Sequence, residues 1–369
     1  MLDLRVLRAA VLPVLLALIV VAFSLENRPE PLRTTFAPDA FQPARVTADA
    51  ERLARAYPDR RPGSAGDAEL AAAVRGRLRA LLPGVRVSRR VIHAATVDGD
   101  RDLVTVAAQR PGTGPAGQLV LVASRDALGH GGRAQLTATA TLLEMARVLA
   151  QASPRRTVTF ASVSGGTGGQ AGMRDLLARL PRPLDAVIEV GDVGGPATGS
   201  PAIVPWSNGA GAAPGVLTRT LALALREEAD TEGGAPRVRA QLARFAFPVS
   251  VSGQGVALQQ DVAAVRLSVS GERAPRPSAP VSLDRVQRVG RGLLRAVTAL
   301  DEGPDVPAGP SRDLLIERKQ LPGWSLRLLV GALLLPALLT LGDAVARHHG
   351  ARLPRGLELR HRLRSEGRR

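Results

Sequence analysis

The chain has 369 residues, 49 Lys and Arg against 33 Asp and Glu, a formal net charge of +16, 45% apolar residues and no cysteine. Absence of cysteine excludes disulfides and thiolate metal sites, and the length allows one large domain with appendages or two to three smaller ones. The charge alone would suit nucleic acid, but the basic residues are arginine except for Lys319, many gather after Ala346, and no basic stripe interleaved with aromatics exists to stack bases; the expected partners do not include nucleic acid.

Ala9–Leu25 is an uncharged apolar run close to the ~20 residues that span a bilayer as a helix. Arg5 and Arg8 precede it, which places the amino terminus in the cytoplasm. The competing reading is a cleaved signal peptide, but the run exceeds the usual ~7–15 residues and no Ala-x-Ala site follows, so an uncleaved anchor is expected over 1–27. Residues 28–44, rich in Pro and polar side chains, read as a linker. Helices are expected over 47–56 and, after the turn Pro62-Gly-Ser-Ala-Gly66, over 67–82; strands over 87–97 and 102–109 are joined by Asp98-Gly99.

Residues 118–192 then alternate apolar runs with helical periodicity: strand 118–126, helix 136–150, strand 156–164, helix 170–180 and strand 184–190. That alternation indicates parallel strands buried under helices, with chemistry at the strands' carboxyl ends. A short strand at 202–205, a helix at 216–228, a segment 238–247 ambiguous between helix and strand, a strand at 262–270 and a helix at 282–300 capped by Ser282 follow, closing a domain expected over 45–302. A second linker, 303–322, leads to an apolar run, 326–341, introduced by Trp324 and interrupted only by Arg327. With the arginine tail 347–369 behind it, helix 323–346 reads as a second span, so that both termini are cytoplasmic and the main domain lies outside a cell membrane.

The order Pro62-Gly-Ser-Ala-Gly66, amphipathic helix, two strands, LVLVASRD, glycine loop, LLEMARVLA, RTVTFASVS, Gly-rich turn and AVIEVGDVGG resembles the family-28 metallopeptidases, di-zinc aminopeptidases and their carboxypeptidase relatives, over roughly residues 45–300. The resemblance implies an α/β fold: a three-layer α/β/α sandwich around a mixed, mainly parallel sheet, here flanked by two transmembrane helices. It also implies two zinc ions bridged by a carboxylate, with a glutamate as base. Matched position by position, Ser124 stands where the family has its first ligand His, and Asp126 matches the Asp of that motif. The bridging Asp-Asn pair falls on Ala134 and Gln135, the Glu-Glu pair of base and ligand on Gly166 and Thr167, and a further Asp ligand on Asp192. No His lies between His130 and His348 to supply the last ligand.

The family's zinc is therefore expected to be lost and no catalytic residue is assigned. Asp126 and Asp192 remain as metal candidates, for a hard cation such as calcium, with pairing to Arg125 or Arg133 the favoured expectation. His130 reads as a solvent-facing loop residue and His93 as a strand residue. Gly166-x-Gly168-x-x-Ala171 with Glu189 imitates a dinucleotide fingerprint, but short glycine patterns recur by accident. The expected function is an inactive peptidase-like binding or scaffolding module, a subunit of a membrane complex or a receptor for an extracytoplasmic peptide or carbohydrate. The alternative is a residual metallopeptidase with an atypical metal site.

Overall fold

The computed structural model describes residues 4–115, 117–197, 202–209, 211–229, 238–307, 309–316 and 319–350. In chain order the elements begin with α1 (Leu4–Phe23), β1 (Glu26–Asn27), α2 (Pro43–Ala56), α3 (Ala65–Leu81), β2 (Val87–Thr96), β3 (Gly99–Arg110) and β4 (Gln118–Ser124). They continue with α4 (Arg133–Ala150), β5 (Thr157–Val163), α5 (Ala171–Arg179), β6 (Leu184–Val190), β7 (Ile203–Val204), α6 (Gly215–Ala229) and α7 (Val238–Ala246). The last are α8 (Gly253–Gln259), β8 (Ala264–Leu267), α9 (Leu283–Glu302), β9 (Leu314–Ile316), β10 (Lys319–Leu321) and α10 (Gly323–Gly350). They fall into two compact units, Arg28–Arg312 and a second unit formed by the two ends of the chain, Met1–Asn27 with Asp313–Arg369.

The larger unit is built on a seven-stranded mixed sheet in the order β2-β3-β5-β4-β6-β8-β7. Its centre is parallel: β4 pairs with β5 and β6, and β6 with β8. The edges are antiparallel, the β2–β3 hairpin on one side and β7 on the other. "Mainly parallel" thus describes the central strands and not the edges, where β2–β3, β3–β5 and β7–β8 are all antiparallel. The apolar runs of β4, β5 and β6 are buried almost without a break, as strands covered on both faces must be. Helix α3 starts at Ser64, whose side chain accepts from Asp67 N, and α9 starts at Ser282, which accepts from Arg285 N. The ambiguous segment 238–247 is the helix α7.

The stretch expected as a linker, 28–44, belongs to this unit. Phe41 is buried against Gly290 of α9, where any Cβ would collide with its ring. Gln42 N donates to Glu144 Oε1 (2.8 Å) and Leu32 N to Thr220 Oγ1 (2.9 Å). Residues 303–312 likewise join it, with Val306 buried and Ser311 exchanging backbone hydrogen bonds with Ala212. Proline and polar residues announce irregular backbone; whether that backbone is covered depends on what packs over it.

In the terminal unit α1 packs on α10, and β1, β10 and β9 form a small antiparallel sheet, with Glu26 opposite Gln320 and Asn27 opposite Lys319. Among the described residues one helix, Gly323–Ala346, is long and apolar enough to cross a membrane; Val11–Phe23 is an apolar helix of shorter reach. Of the two expected spans, one coincides with a helix of sufficient length and apolarity, and the other, at the amino end, coincides with a shorter apolar helix that carries Arg5 and Arg8 in its first turns. Trp324 is exposed and Arg327 Nε donates to Gly323 O. Most of the arginine tail lies outside the described residues.

Candidate functional site

The carboxyl end of β4 sends consecutive side chains in opposite directions. Arg125 turns into the protein: its Nε lies 2.8 Å from Asp67 Oδ1, and its Nη1 donates to Ser162 O (3.1 Å). Asp67 Oδ2 accepts from Ser164 Oγ (2.6 Å) and Gly63 N (3.2 Å). Burial raises the Asp67 carboxyl above the ordinary carboxylate range, against the pull of Arg125, and burial lowers the Arg125 guanidinium. Beside this pair lies Arg60, fully buried, donating to Tyr57 O, Arg125 O and Gly131 O. Burial lowers its pKa to about 10, opposed by Asp126 and Asp67.

Asp126 turns the other way, into a cleft of about 460 Å³ at the carboxyl ends of the parallel strands. Ser124, Gly166, Thr167 and Asp192 line the same cleft. Asp126 accepts from Gly166 N (3.0 Å), Thr167 N (2.8 Å) and Thr167 Oγ1 (2.8 Å). Asp192 Oδ1 accepts from Thr137 Oγ1 (3.1 Å), Gly194 N (2.9 Å) and Gly195 N (2.8 Å), while its buried Oδ2 has no hydrogen-bond partner. Neither Asp is paired with an arginine among the described residues. The expected pairing with Arg125 is replaced by the Asp67–Arg125 pair, because alternation along an extended chain sends residues 125 and 126 to opposite sides.

The remaining positions divide. Ala134 is buried in the first turn of α4 and does not line the cleft; Gln135 does, accepting from Arg60 Nη2 (3.3 Å) and donating to Pro275 O (3.0 Å). Gly166 is held so close to Ser124 that any Cβ there would strike the serine side chain. His130 is exposed and its backbone bridges Asp59; His93 is exposed on β2, its Nδ1 3.0 Å from Asp102 Oδ1 on β3. The dinucleotide pattern fails on its acid: Glu189 is buried, bonded to Arg266 Nη1 (2.6 Å) and Gln254 N (3.0 Å). Gln170, in the left-handed region at φ 55°, lies over the start of α5 and donates to Gly166 O and Val251 O. Reading the sequence missed Arg60 and the Arg266–Glu189 pair. In a chain this rich in arginine, Arg60 looks no different from Arg61.

No protein-family model matches the chain, and no curated protein sequence does. Solved structures match in fold. LapB from Legionella pneumophila superposes with a TM-score of 0.57 at 17% identity, over 76% of this chain and 79% of that one. A zinc aminopeptidase from Bacillus subtilis gives 0.56 at 11%, over 73% and 98%. A glutaminyl cyclase from Macrostomum lignano gives 0.54 at 17%, over 73% and 94%. The fold is zinc-exopeptidase-like.

The residues that this zinc-exopeptidase-like fold brings to the cleft do not fit a pair of zinc ions. Asp126 spends both oxygens on the turn 166–167, and Asp192 spends one on its own loop. Ser124, Gly166 and Thr167 add no imidazole or carboxylate. Among the described residues no group of three or more His, Asp or Glu side chains is placed to hold a metal ion, where a zinc centre takes three or four such ligands.

Proposed function

We propose that the protein is a membrane-anchored, non-catalytic peptidase-like module that binds or scaffolds without cleaving. The observation that carries this reading is the turn Gly166-Thr167: where the chemistry of the resembled family needs a glutamate base, this turn donates two backbone N–H groups and a hydroxyl to Asp126. The turn thus supplies donors where that chemistry needs a base, and it occupies three of the about four acceptor sites of Asp126. In this reading Ser124, Asp126, Ala134, Gly166, Thr167 and Asp192 are remnants of a metal site.

Anchoring is supported by the apolar helix Gly323–Ala346, with Trp324 and Arg327 at its start, and by the shorter apolar helix Val11–Phe23. Arginines before the first and after the second favour cytoplasmic termini and an extracytoplasmic domain in the cell membrane. Its neighbours there are the lipid bilayer and other membrane proteins.

The test uses the full-length protein purified in detergent. Metal analysis is expected to find well under one zinc per chain, and aminoacyl p-nitroanilides are expected to remain intact with and without added zinc. Stoichiometric zinc together with chelator-sensitive hydrolysis would establish instead the residual metallopeptidase with an atypical site, for which the unpartnered Asp192 Oδ2 is the one favourable feature.

A further inference from the structure

Between α7 and α8, residues 247–252 alternate in exposure, with Pro248 half-buried. Ser250 and Ser252 are buried, while Phe247, Val249 and Val251 are 77%, 60% and 60% exposed. An apolar strip of this kind, unpartnered on a folded surface, marks an interaction site. It runs into the cleft, because Val251 and Ser252 belong to the cleft lining. Two buried polar atoms of that lining have no hydrogen-bond partner, Ser252 Oγ and Asp192 Oδ2, and each belongs to a residue no more than 3% exposed. Buried polar atoms left unpaired are costly unless a ligand or water completes them.

The segment 272–277 also lines the cleft and is tied to α4 by Gln135 Nε2, which donates to Pro275 O. It exposes Arg273 and Arg276, neither of which enters an ion pair among the described residues. The nearby acids are already engaged, Glu189 by Arg266 and Glu272 by Ser250 and Arg244. The cleft therefore offers an apolar strip and two exposed guanidinium groups that enter no ion pair among the described residues.

We propose that this cleft and the strip beside it bind an extended acidic segment of a partner polypeptide. Apolar side chains would rest on Phe247, Val249 and Val251. A carboxylate would meet Arg273 and Arg276. A carbohydrate fits less well, since no aromatic ring lines the cleft for a sugar to lie on. The inference rests on the reading of this domain as a binding module, and it names the partner's chemistry.

The experiment titrates the full-length protein in detergent with an octapeptide of alternating Leu and Asp, fluorescein-capped at its amino end and amidated at the other, and reads fluorescence anisotropy. Saturable binding is expected. An Asp-Gly peptide of equal charge should bind at least about tenfold more weakly, as should the Leu-Asp peptide to Arg273→Glu/Arg276→Glu and to Val251→Asp. These three residues are exposed, and unchanged circular dichroism would show the variants folded. No binding, equal binding of the Asp-Gly peptide, or full affinity in both variants would overturn the proposal. Both peptide ends are blocked against exopeptidases, so a residual hydrolase found by zinc and activity assays would leave this result to stand or fall by itself.

Discussion

Arg125 and Asp126 are neighbours in sequence and sit in two regions with opposite organisation. Around Arg125 the polar groups are matched inside the protein: Asp67 faces the guanidinium at 2.8 Å, and Ser164 and Gly63 complete the carboxylate. Around Asp126 and Asp192 the groups are matched in part to the loops that carry them, and an oxygen of Asp192 is left over. The first region holds a charge pair out of water and has no surface to offer. The second opens on solvent at strand ends, where the fold leaves a cavity whatever lines it. A shared scaffold therefore does not imply shared chemistry.

The sharpest way to break this contrast is to remove one half of the buried pair. Asp67→Leu is predicted to cost about 3–5 kcal/mol in urea unfolding, since it takes from a buried site the acceptor that faces Arg125, Ser164 and Gly63. Asp67→Leu with Arg125→Met should restore most of the loss. The pH dependence has a definite sign. Burial raises the folded carboxyl above its unfolded value, so its contribution is complete below the unfolded pKa of about 3.9 and declines as pH rises through the raised value. The stability gap between wild type and Asp67→Leu should accordingly be wider near about pH 4 than near about pH 8.

The cleft should respond more mildly. Gly166→Glu, which returns the residue type of the resembled family, is predicted to lower stability by about 1–3 kcal/mol because its Cβ has no room beside Ser124. Adding Ser124→Gly should recover part of that in a thermal melt. Asp126→Asn, which keeps the shape and loses the charge, should cost about 1 kcal/mol through weaker hydrogen bonds from Gly166 and Thr167. The melting temperature of the wild type should be unmoved by a chelator, and a chelator-dependent fall would show a bound metal holding the cleft. The smallest effect is expected at His93→Ala, within about 0.5 kcal/mol, because the His93–Asp102 pair is exposed on a hairpin.

The parallel core was legible because period and burial coincide: 118–124, 157–163 and 184–190 are apolar runs with helices between them, and only strands covered on both faces read that way. The caps Ser64 and Ser282 were legible because a hydroxyl accepting from the N3 amide is a local contact. The helix α8 was not, since Gly253-Gln-Gly-Val-Ala-Leu-Gln259 has two glycines and little periodicity, and its burial comes from β8, α5 and β6 packed around it. Nor was the role of 28–44, whose place is fixed by Phe41 meeting Gly290.

Sequence alone determined which residue types are available at the strand ends: no imidazole where a first ligand would stand at Ser124, and no acidic pair at Gly166-Thr167. Tertiary structure decided what the surviving groups do. Asp126 is satisfied by a turn forty residues away, Arg125 by Asp67 on α3, and Arg273 and Arg276 are left facing a cleft beside an apolar strip. Composition is local to each position, whereas hydrogen bonds and ion pairs form between whatever the sheet brings within about 3 Å, and that depends on the path of the entire chain.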